Sequence, residues 1–247
     1  MKEGNDRMLE MRALVITPTY NEAENIKAII EKVLEQDARI EMLIVDDNSP
    51  DGTGKIVEEI METEKRVHIL KRAGKLGLGS AYIAGFKYAI ENGYDAVFEM
   101  DGDFSHDPKV LPVMLKEIEN NDVIIGSRYV KGVCVLNWPM KRLLLSYFAS
   151  KYVKFITRMP FKDPTSGFKC YRIEALKNLE LDKIMSDGYS FQVEVKYRLW
   201  LKKFRIKEIP IVFNDRFIGE SKMSKKIVYE AVWMVWKLRF LAILGKL

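Results

Sequence analysis

The run Ala96-Val97-Phe98-Glu99-Met100-Asp101-Gly102-Asp103 carries an apolar stretch onto two aspartates separated by one glycine. Such a run predicts a buried strand, so the carboxylates emerge at its carboxyl end, where open α/β sheets bind ligands. Carboxylates held that close repel one another unless a cation sits between them. Hard divalent ions such as Mg²⁺ take one or two carboxylates and complete their shell with phosphate oxygens. The spacing therefore points to metal-assisted handling of a phosphorylated substrate; the plain alternative is a solvated acidic turn after a strand.

Three other strand ends are expected beside this pair. Thr17-Pro18-Thr19-Tyr20-Asn21-Glu22 closes a first strand, with Tyr20 able to stack on a base and Glu22 able to accept from one. Asp46 and Asp47 close a second, where a carboxylate could take a base or ribose donor. Lys71, Arg72 and Lys75 follow a third, with Gly74, Gly77 and Gly79 allowing close backbone approach. Together they outline a nucleotide-sized pocket with a metal at its diphosphate end.

The elements that must hold these groups alternate. Strands are expected at Arg12–Thr17, Glu41–Val45, Val67–Leu70 and Val123–Ile125, and in the apolar run that stops at Asp101. Between them helices are expected at Asn21–Glu35, Lys55–Glu62, Ser80–Asn92 and Pro108–Glu119. This alternation argues for an α/β fold: a mostly parallel sheet with helices on both faces. After Gly126 the pattern loosens. An apolar helix at Arg142–Ile156, a loop at 163–167, a helix at Gly188–Lys202 and a strand at Arg205–Phe213 are expected. The last twenty residues set apolar positions, Trp233 and Trp236 among them, between Lys225, Lys226, Lys237, Arg239 and Lys246. This predicts a basic amphipathic helix that either lies in a membrane interface or packs on the core.

Composition narrows the class. The 247 residues are 48% hydrophobic and 30% charged, as in a globular protein able to bury a sizeable core. The net charge of +5 suits anionic ligands or an anionic membrane surface, and no arginine-rich block with interleaved aromatics suggests nucleic acid. Cys134 and Cys170, taken with His68 and His106, make no zinc spacing, and both read as free thiols in a reducing compartment. No signal peptide and no apolar run of about 18 residues, the length that spans a bilayer, is expected. Residues 1–10 read as a flexible extension, 11–224 as a catalytic domain (nucleotide half 11–127, acceptor half 128–224), and 225–247 as the basic helix.

Several motifs in order carry a resemblance along nearly the whole chain. They are Pro18-Thr19-Tyr20-Asn21-Glu22, Val45 to Thr53 with its Asp46-Asp47-Asn48-Ser49 core, and Lys75-Leu76-Gly77-Leu78-Gly79. They continue with Met100 to His106, Gly126-Ser127-Arg128-Tyr129, Asn137-Trp138-Pro139 and Asp163 to Phe168. Gly188 to Glu194 and Arg216 to Lys222 complete them. On these residues the chain resembles the dolichol-phosphate mannosyltransferase family, within the inverting family-2 glycosyltransferases of the Rossmann-like GT-A fold.

The resemblance implies transfer of mannose from GDP-mannose to a dolichyl or polyprenyl phosphate, assisted by Mg²⁺ or Mn²⁺. It implies that Pro18, Tyr20, Glu22, Asp47 and Lys75 line the nucleotide, together with Asp101, Gly102 and Asp103. Asp101 and Asp103 would hold metal and diphosphate. Ser105 stands where relatives often carry Gln and would be a weaker third metal ligand. Arg128, Arg142, Ser146, Arg216 and Lys222 match positions that hold the acceptor phosphate and the departing diphosphate, with Arg128 and Arg216 acting in catalysis beside Asp101 and Asp103. Lys169 replaces the arginine usual after Gly-Phe, and Val133 to Leu136 replace a stretch that often holds a glycine. Glu194 is expected to orient a neighbour, the alternative being a base as in relatives acting on hydroxyl acceptors. His106 is expected to help cap the following helix.

An acceptor that is a lipid phosphate, on a chain without a membrane span, implies peripheral attachment to the cytoplasmic membrane face through helix 142–156 and the basic tail, or through a separate membrane subunit. The alternatives are a polyprenyl-phosphate glucosyltransferase using a UDP-sugar, a transferase building a polysaccharide, and a non-catalytic sugar-nucleotide-binding subunit. A phosphatase with a nucleophilic aspartate loop is disfavoured, because here the acidic pair ends the fourth strand and not the first.

Overall fold

The computed structural model describes residues 11–214 and 225–247. The proposed extension 1–10 and the motif holding Arg216 and Lys222 lie outside the described residues. Nine strands are described: β1 Ala13–Thr19, β2 Ile40–Asp46, β3 Val67–Lys71, β4 Ala96–Glu99, β5 Val123–Ser127, β6 Val135–Leu136, β7 Lys169–Arg172, β8 Ile206–Pro210 and β9 Phe213–Asn214. Seven form one sheet in the order β3-β2-β1-β4-β7-β5-β8, and β6 pairs with β9 separately. All neighbours in the large sheet run parallel except at β7, which is antiparallel to both β4 and β5.

Helices α1 Ile26–Leu34, α2 Thr53–Thr63, α3 Leu78–Glu91, α4 Leu111–Ile118, α5 Met140–Thr157, α6 Ile173–Lys177, α7 Gly188–Leu201 and α8 Lys225–Ile243 cover it. Alternate residues of each central strand face opposite ways, so one sheet feeds two cores. Leu14, Ile16, Leu43 and Val97 pack with Tyr82 and Phe86 of α3, Phe191 and Val195 of α7, and Val235 and Leu238 of α8. Ala13, Val15, Met42 and Phe98 pack with Ile26, Ile29 and Val33 of α1 and Leu111, Met114 and Leu115 of α4. Strands buried on both faces read as continuous apolar runs, which explains the legibility of β1, β2 and β4. Gly85 lets α3 lie close on the sheet: a Cβ there would stand 2.6 Å from Ile16 Cγ2.

The differences from expectation have local causes. The first helix starts at Ile26 and not at Asn21. Ser49 Oγ, Thr53 Oγ1 and Asp51 Oδ2 accept from the backbone N–H groups of Asn21, Glu22 and Ala23, which hold that segment as a turn against the β2–α2 loop. The helix expected from Pro108 opens as a 3-10 turn at Pro108–Val110 before α4. Its cap is the Asp107 carboxylate, which accepts from Lys109 N–H; the expected help from His106 is not seen there. The strand expected at Arg205–Phe213 stops at Pro210, and the chain then pairs with β6 through Phe213 and Asn214. Strand β7, which the sequence pattern did not predict, is four residues long with Lys169 and Arg172 at its ends.

The last helix packs on the core along one face and leaves another exposed. Val235 and Leu238 are buried in the core, whereas Trp233 is 76% and Phe240 62% exposed. No described helix is long and apolar enough to cross a membrane. Cys134 and Cys170 are both free.

Candidate active site

The carboxyl ends of β1, β2, β4 and β5 open onto one cleft of about 1360 Å³. Its lining includes Pro18, Tyr20, Glu22, Asp47, Lys75, Asp101, Gly102, Asp103, Ser105, Arg128, Arg142 and Ser146. Every described residue among the expected nucleotide, metal and acceptor ligands is thus gathered in one cavity.

The acidic turn is held from below. Asp101 N–H donates to His106 Nδ1 at 3.1 Å. The imidazole stacks on Phe168 (4.7 Å between ring centres, 14° between planes) and meets Phe213 edge-on. Burial pushes His106 down to about 4, so at neutral pH the ring is uncharged and its proton lies on Nε2. Asp103 Oδ1 accepts from Ser105 N–H at 3.1 Å, and Phe104 between them takes φ +60°. Ser105 Oγ is buried and has no hydrogen-bond partner among the described residues. A buried hydroxyl left without a partner costs stability unless a ligand satisfies it. No described group of three or more acidic, His or Cys side chains could cage a metal alone. Two carboxylates, one orphaned hydroxyl and room for a diphosphate fit a divalent cation that completes its shell on substrate.

At the carboxyl ends of β1 and β2, Lys75 Nζ lies 4.6 Å from the Tyr20 ring centre. Asp47 is raised above its ordinary carboxylate range by burial, against the pull of Arg72, whose Nε lies 3.2 Å from Oδ1. That oxygen is buried and makes no hydrogen bond among the described residues. The other candidates here serve the scaffold. Asp46 accepts from Thr19 Oγ1, Ser49 Oγ and Ser49 N–H. Lys71 pairs with Glu58 at 2.6 Å, and Arg72 also donates to Gly77 O and Ser80 Oγ.

At the carboxyl end of β5, Arg128 is held by Asp163, with Nε to Oδ2 and Nη2 to Oδ1 both at 2.7 Å. Arg128 is 8% exposed and Asp163 not at all. Burial opposes both charges, yet each holds the other ionised: Asp163 falls below and Arg128 rises above its ordinary value. Arg142 stacks on Trp138 with Cζ 4.3 Å from the ring centre, and Ser146 Oγ accepts from Tyr129 OH at 2.9 Å. Glu194 does not line the cleft: it is fully buried and accepts from Met185 N–H, Ser186 N–H and Arg198 Nε, which makes it the anchor of the loop entering α7.

Residues not anticipated also line the cleft. Asp187 caps α3 from across it, accepting from Gly79 N–H at 2.6 Å. Gly77 makes this possible, for it takes φ +102° and a Cβ there would stand 1.8 Å from Asp187 Oδ2. Tyr189 and Gln192 of α7 and Trp233, Trp236 and Phe240 of α8 also line the cleft. Polarity gave no warning for the last three, because a basic amphipathic helix reads the same whether it walls a cleft or lies elsewhere on the surface.

Comparison with known proteins places the chain in a family. The chain is 43% identical over 222 residues to an undecaprenyl-phosphate mannosyltransferase of Micrococcus luteus, covering 90% of this chain and 91% of that one. It is 42% identical over 232 residues to a polyprenol monophosphomannose synthase of Mycolicibacterium smegmatis, covering 92% and 88%. In fold it is similar to a mannosyltransferase of Pyrobaculum calidifontis solved with GDP-Man and Mn²⁺ (TM-score 0.60, 16% identity, 97% and 79% covered). Residues 14–180 match the family described as Glycosyl transferase family 2, and the chain is a member of that family.

Proposed function

We propose that this enzyme transfers mannose from GDP-mannose to the phosphate of a dolichyl or polyprenyl lipid, with inversion at the anomeric carbon. One observation carries the reading: a single cleft holds the acidic turn, Arg128 and Arg142 against Trp138, and the large apolar side chains Trp233, Trp236 and Phe240. An anion attached to a long apolar chain matches those arginines and apolar side chains. The names of the relatives at 43% and 42% identity support the same donor sugar and acceptor class.

A divalent cation, Mg²⁺ or Mn²⁺, would be held by Asp101, Asp103 and Ser105, and would supply positive charge for the diphosphate as it departs. Lys75 adds a cationic side chain at the nucleotide end. Asp47 and Glu22 offer carboxylates to base or ribose donors, and Tyr20 a stacking face. Arg128 and Arg142, with Ser146, hold the acceptor phosphate in line; Arg216 and Lys222 are proposed to join them. The bond that forms joins a phosphate oxygen of the lipid to the anomeric carbon. The bond that breaks joins that carbon to the GDP oxygen, which leaves with the electron pair. The nucleophile is already an anion at neutral pH, so no side chain need remove a proton. Asp163 and Thr165 take Nε and Nη2 of Arg128, which fixes the plane of the guanidinium and leaves Nη1 as its donor to the phosphate.

The acceptor requires a bilayer face. Leu144, Leu145, Phe148 and Phe155 of α5 and Trp233, Trp236 and Phe240 of α8 are exposed large apolar side chains, flanked by Lys141, Lys151, Lys237 and Arg239. That pattern supports peripheral docking on an anionic membrane surface, on the cytoplasmic side, with or without a membrane subunit.

The test is transfer of radiolabelled sugar to polyprenyl phosphate from a panel of donors. GDP-mannose is expected to be used well above UDP-glucose. Preferential use of UDP-glucose would establish the glucosyltransferase alternative, and tight GDP binding without transfer to any lipid phosphate would establish a binding subunit.

A further inference from the structure

Beneath the cleft lies a buried chain of polar groups that the reaction above does not use. Lys169, fully buried on β7, stands opposite Glu99 of β4 in the antiparallel register, with Nζ 3.0 Å from Glu99 Oε1. Tyr171 OH donates to the same oxygen at 2.6 Å. Lys169 Nζ also donates to Oε1 of Gln192, a residue of α7 that is 4% exposed and lines the cleft. An ammonium group can only donate, so this contact fixes which end of the amide faces inward. The carbonyl oxygen is taken, and the NH₂ group lies beside Gly167. A Cβ on Gly167 would stand 3.6 Å from Gln192 Nε2 and 4.0 Å from His106 Cε1. Gly167 lies two residues after Thr165, which accepts from Arg128 Nη2 at 2.8 Å, and all three line the cleft with Gln192, so the amide lies on the side of Arg128. Its nitrogen meets no acceptor among the described residues.

Resting on the proposed reaction, we infer that Gln192 is a specificity-determining residue whose amide N–H donates to an oxygen of the acceptor phosphate, and that Lys169 is a positioning residue which holds it in that orientation. The chemistry is selective. An amide at this point offers a hydrogen to an anion that arrives already deprotonated. It cannot take the proton that a hydroxyl nucleophile must lose. The fixed donor thus favours phosphate acceptors over free alcohols.

Steady-state transfer from GDP-mannose to polyprenyl phosphate is measured for the wild type, Gln192→Met, Gln192→Glu, Lys169→Met and Lys169→Arg, varying each substrate in turn. Gln192→Met is expected to raise the acceptor KM about tenfold, the scale of one hydrogen bond to a charged group, with the donor KM within about twofold. Gln192→Glu is expected to raise it further and to regain acceptor affinity as the pH is lowered, a limb absent from the wild type. Lys169→Met is expected to reproduce the effect of Gln192→Met, and Lys169→Arg to restore the acceptor KM. Gln192→Glu is isosteric and supplies the result if Gln192→Met does not fold. An unchanged acceptor KM in the Gln192 variants, or equal losses for both substrates, overturns the inference while the proposed reaction stands. No transfer to polyprenyl phosphate by the wild type overturns the reaction and the inference with it.

Discussion

Replacing Asp163 with asparagine tests how the arginine-bearing end of the cleft is built. The carboxylate accepts from Arg128 N–H at 3.0 Å, Nε at 2.7 Å and Nη2 at 2.7 Å, and from Thr165 Oγ1 at 3.1 Å. Asparagine keeps one oxygen, turns an NH₂ group against a donor, and leaves a buried guanidinium without its counter-charge. Breaking a buried pair in this way costs about 3–5 kcal/mol. In a chain of this length, where each kcal/mol moves the midpoint by about 2–4 °C, Tm should fall by about 6–20 °C. If Arg128 orients the acceptor phosphate as proposed, its misplacement costs about 1.5–3 kcal/mol more in the transition state. That is a loss of about 10- to 150-fold in kcat/KM for polyprenyl phosphate.

The pH dependence of this stability has a definite sign. Burial pushes Asp163 up, but the charge and hydrogen bonds of Arg128 more than offset it, so the folded carboxyl lies below its ordinary value of 3.8. The unfolded chain therefore takes up its proton first as pH falls. The pair's contribution is complete above about pH 5 and shrinks as pH falls through 3.8 toward the folded value. The Tm gap between wild type and Asp163→Asn, read by calorimetry, should be constant from pH 8 to 5 and narrow below 4. A gap under about 2 °C at pH 7, with unchanged acceptor kinetics, would refute the reasoning.

Other outcomes follow from the same geometry. Asp103→Asn should lower kcat about 10²- to 10⁴-fold at saturating GDP-mannose and Mn²⁺, and near-normal turnover would remove Asp103 from the metal site. Gly77→Ala, forced onto φ +102° with its Cβ 1.8 Å from Asp187, should lose at least about 1–3 kcal/mol in denaturant unfolding; a neutral effect would mean the α3 cap is not tightly held. Paired Trp233→Ser and Trp236→Ser should weaken cosedimentation with anionic vesicles by about tenfold or more, because each tryptophan carries a large apolar surface. Undiminished retention of that variant would exclude α8 as the docking face. These substitutions are sharper than deletion of 225–247, which would also expose the core that Val235 and Leu238 fill.

The sequence announced the central sheet because β1, β2 and β4 are buried on both faces and leave apolar runs that no loop would carry. It announced the acidic turn because the run stops so abruptly at Asp101. Strand β7 escaped, since four residues with a lysine at one end and an arginine at the other look like loop. Lys169 is tolerated there only because Glu99 lies opposite in the neighbouring strand, a long-range pairing that no local pattern displays. For the same reason Asp163 was read as part of a turn motif and not as the partner of Arg128, 35 positions away. Asp46 and Asp47 were indistinguishable by type; the fold separates them by turning one to Ser49 and the other into the cleft.

A crystal grown with Mn²⁺ and GDP, and measured at the manganese absorption edge, reads the site directly. The account predicts one anomalous peak within coordination distance of Asp101, Asp103 and a diphosphate oxygen, with Ser105 Oγ turned toward it directly or through water. Manganese bound elsewhere, or GDP seated in the cleft with Asp101 and Asp103 facing no ion, would contradict it.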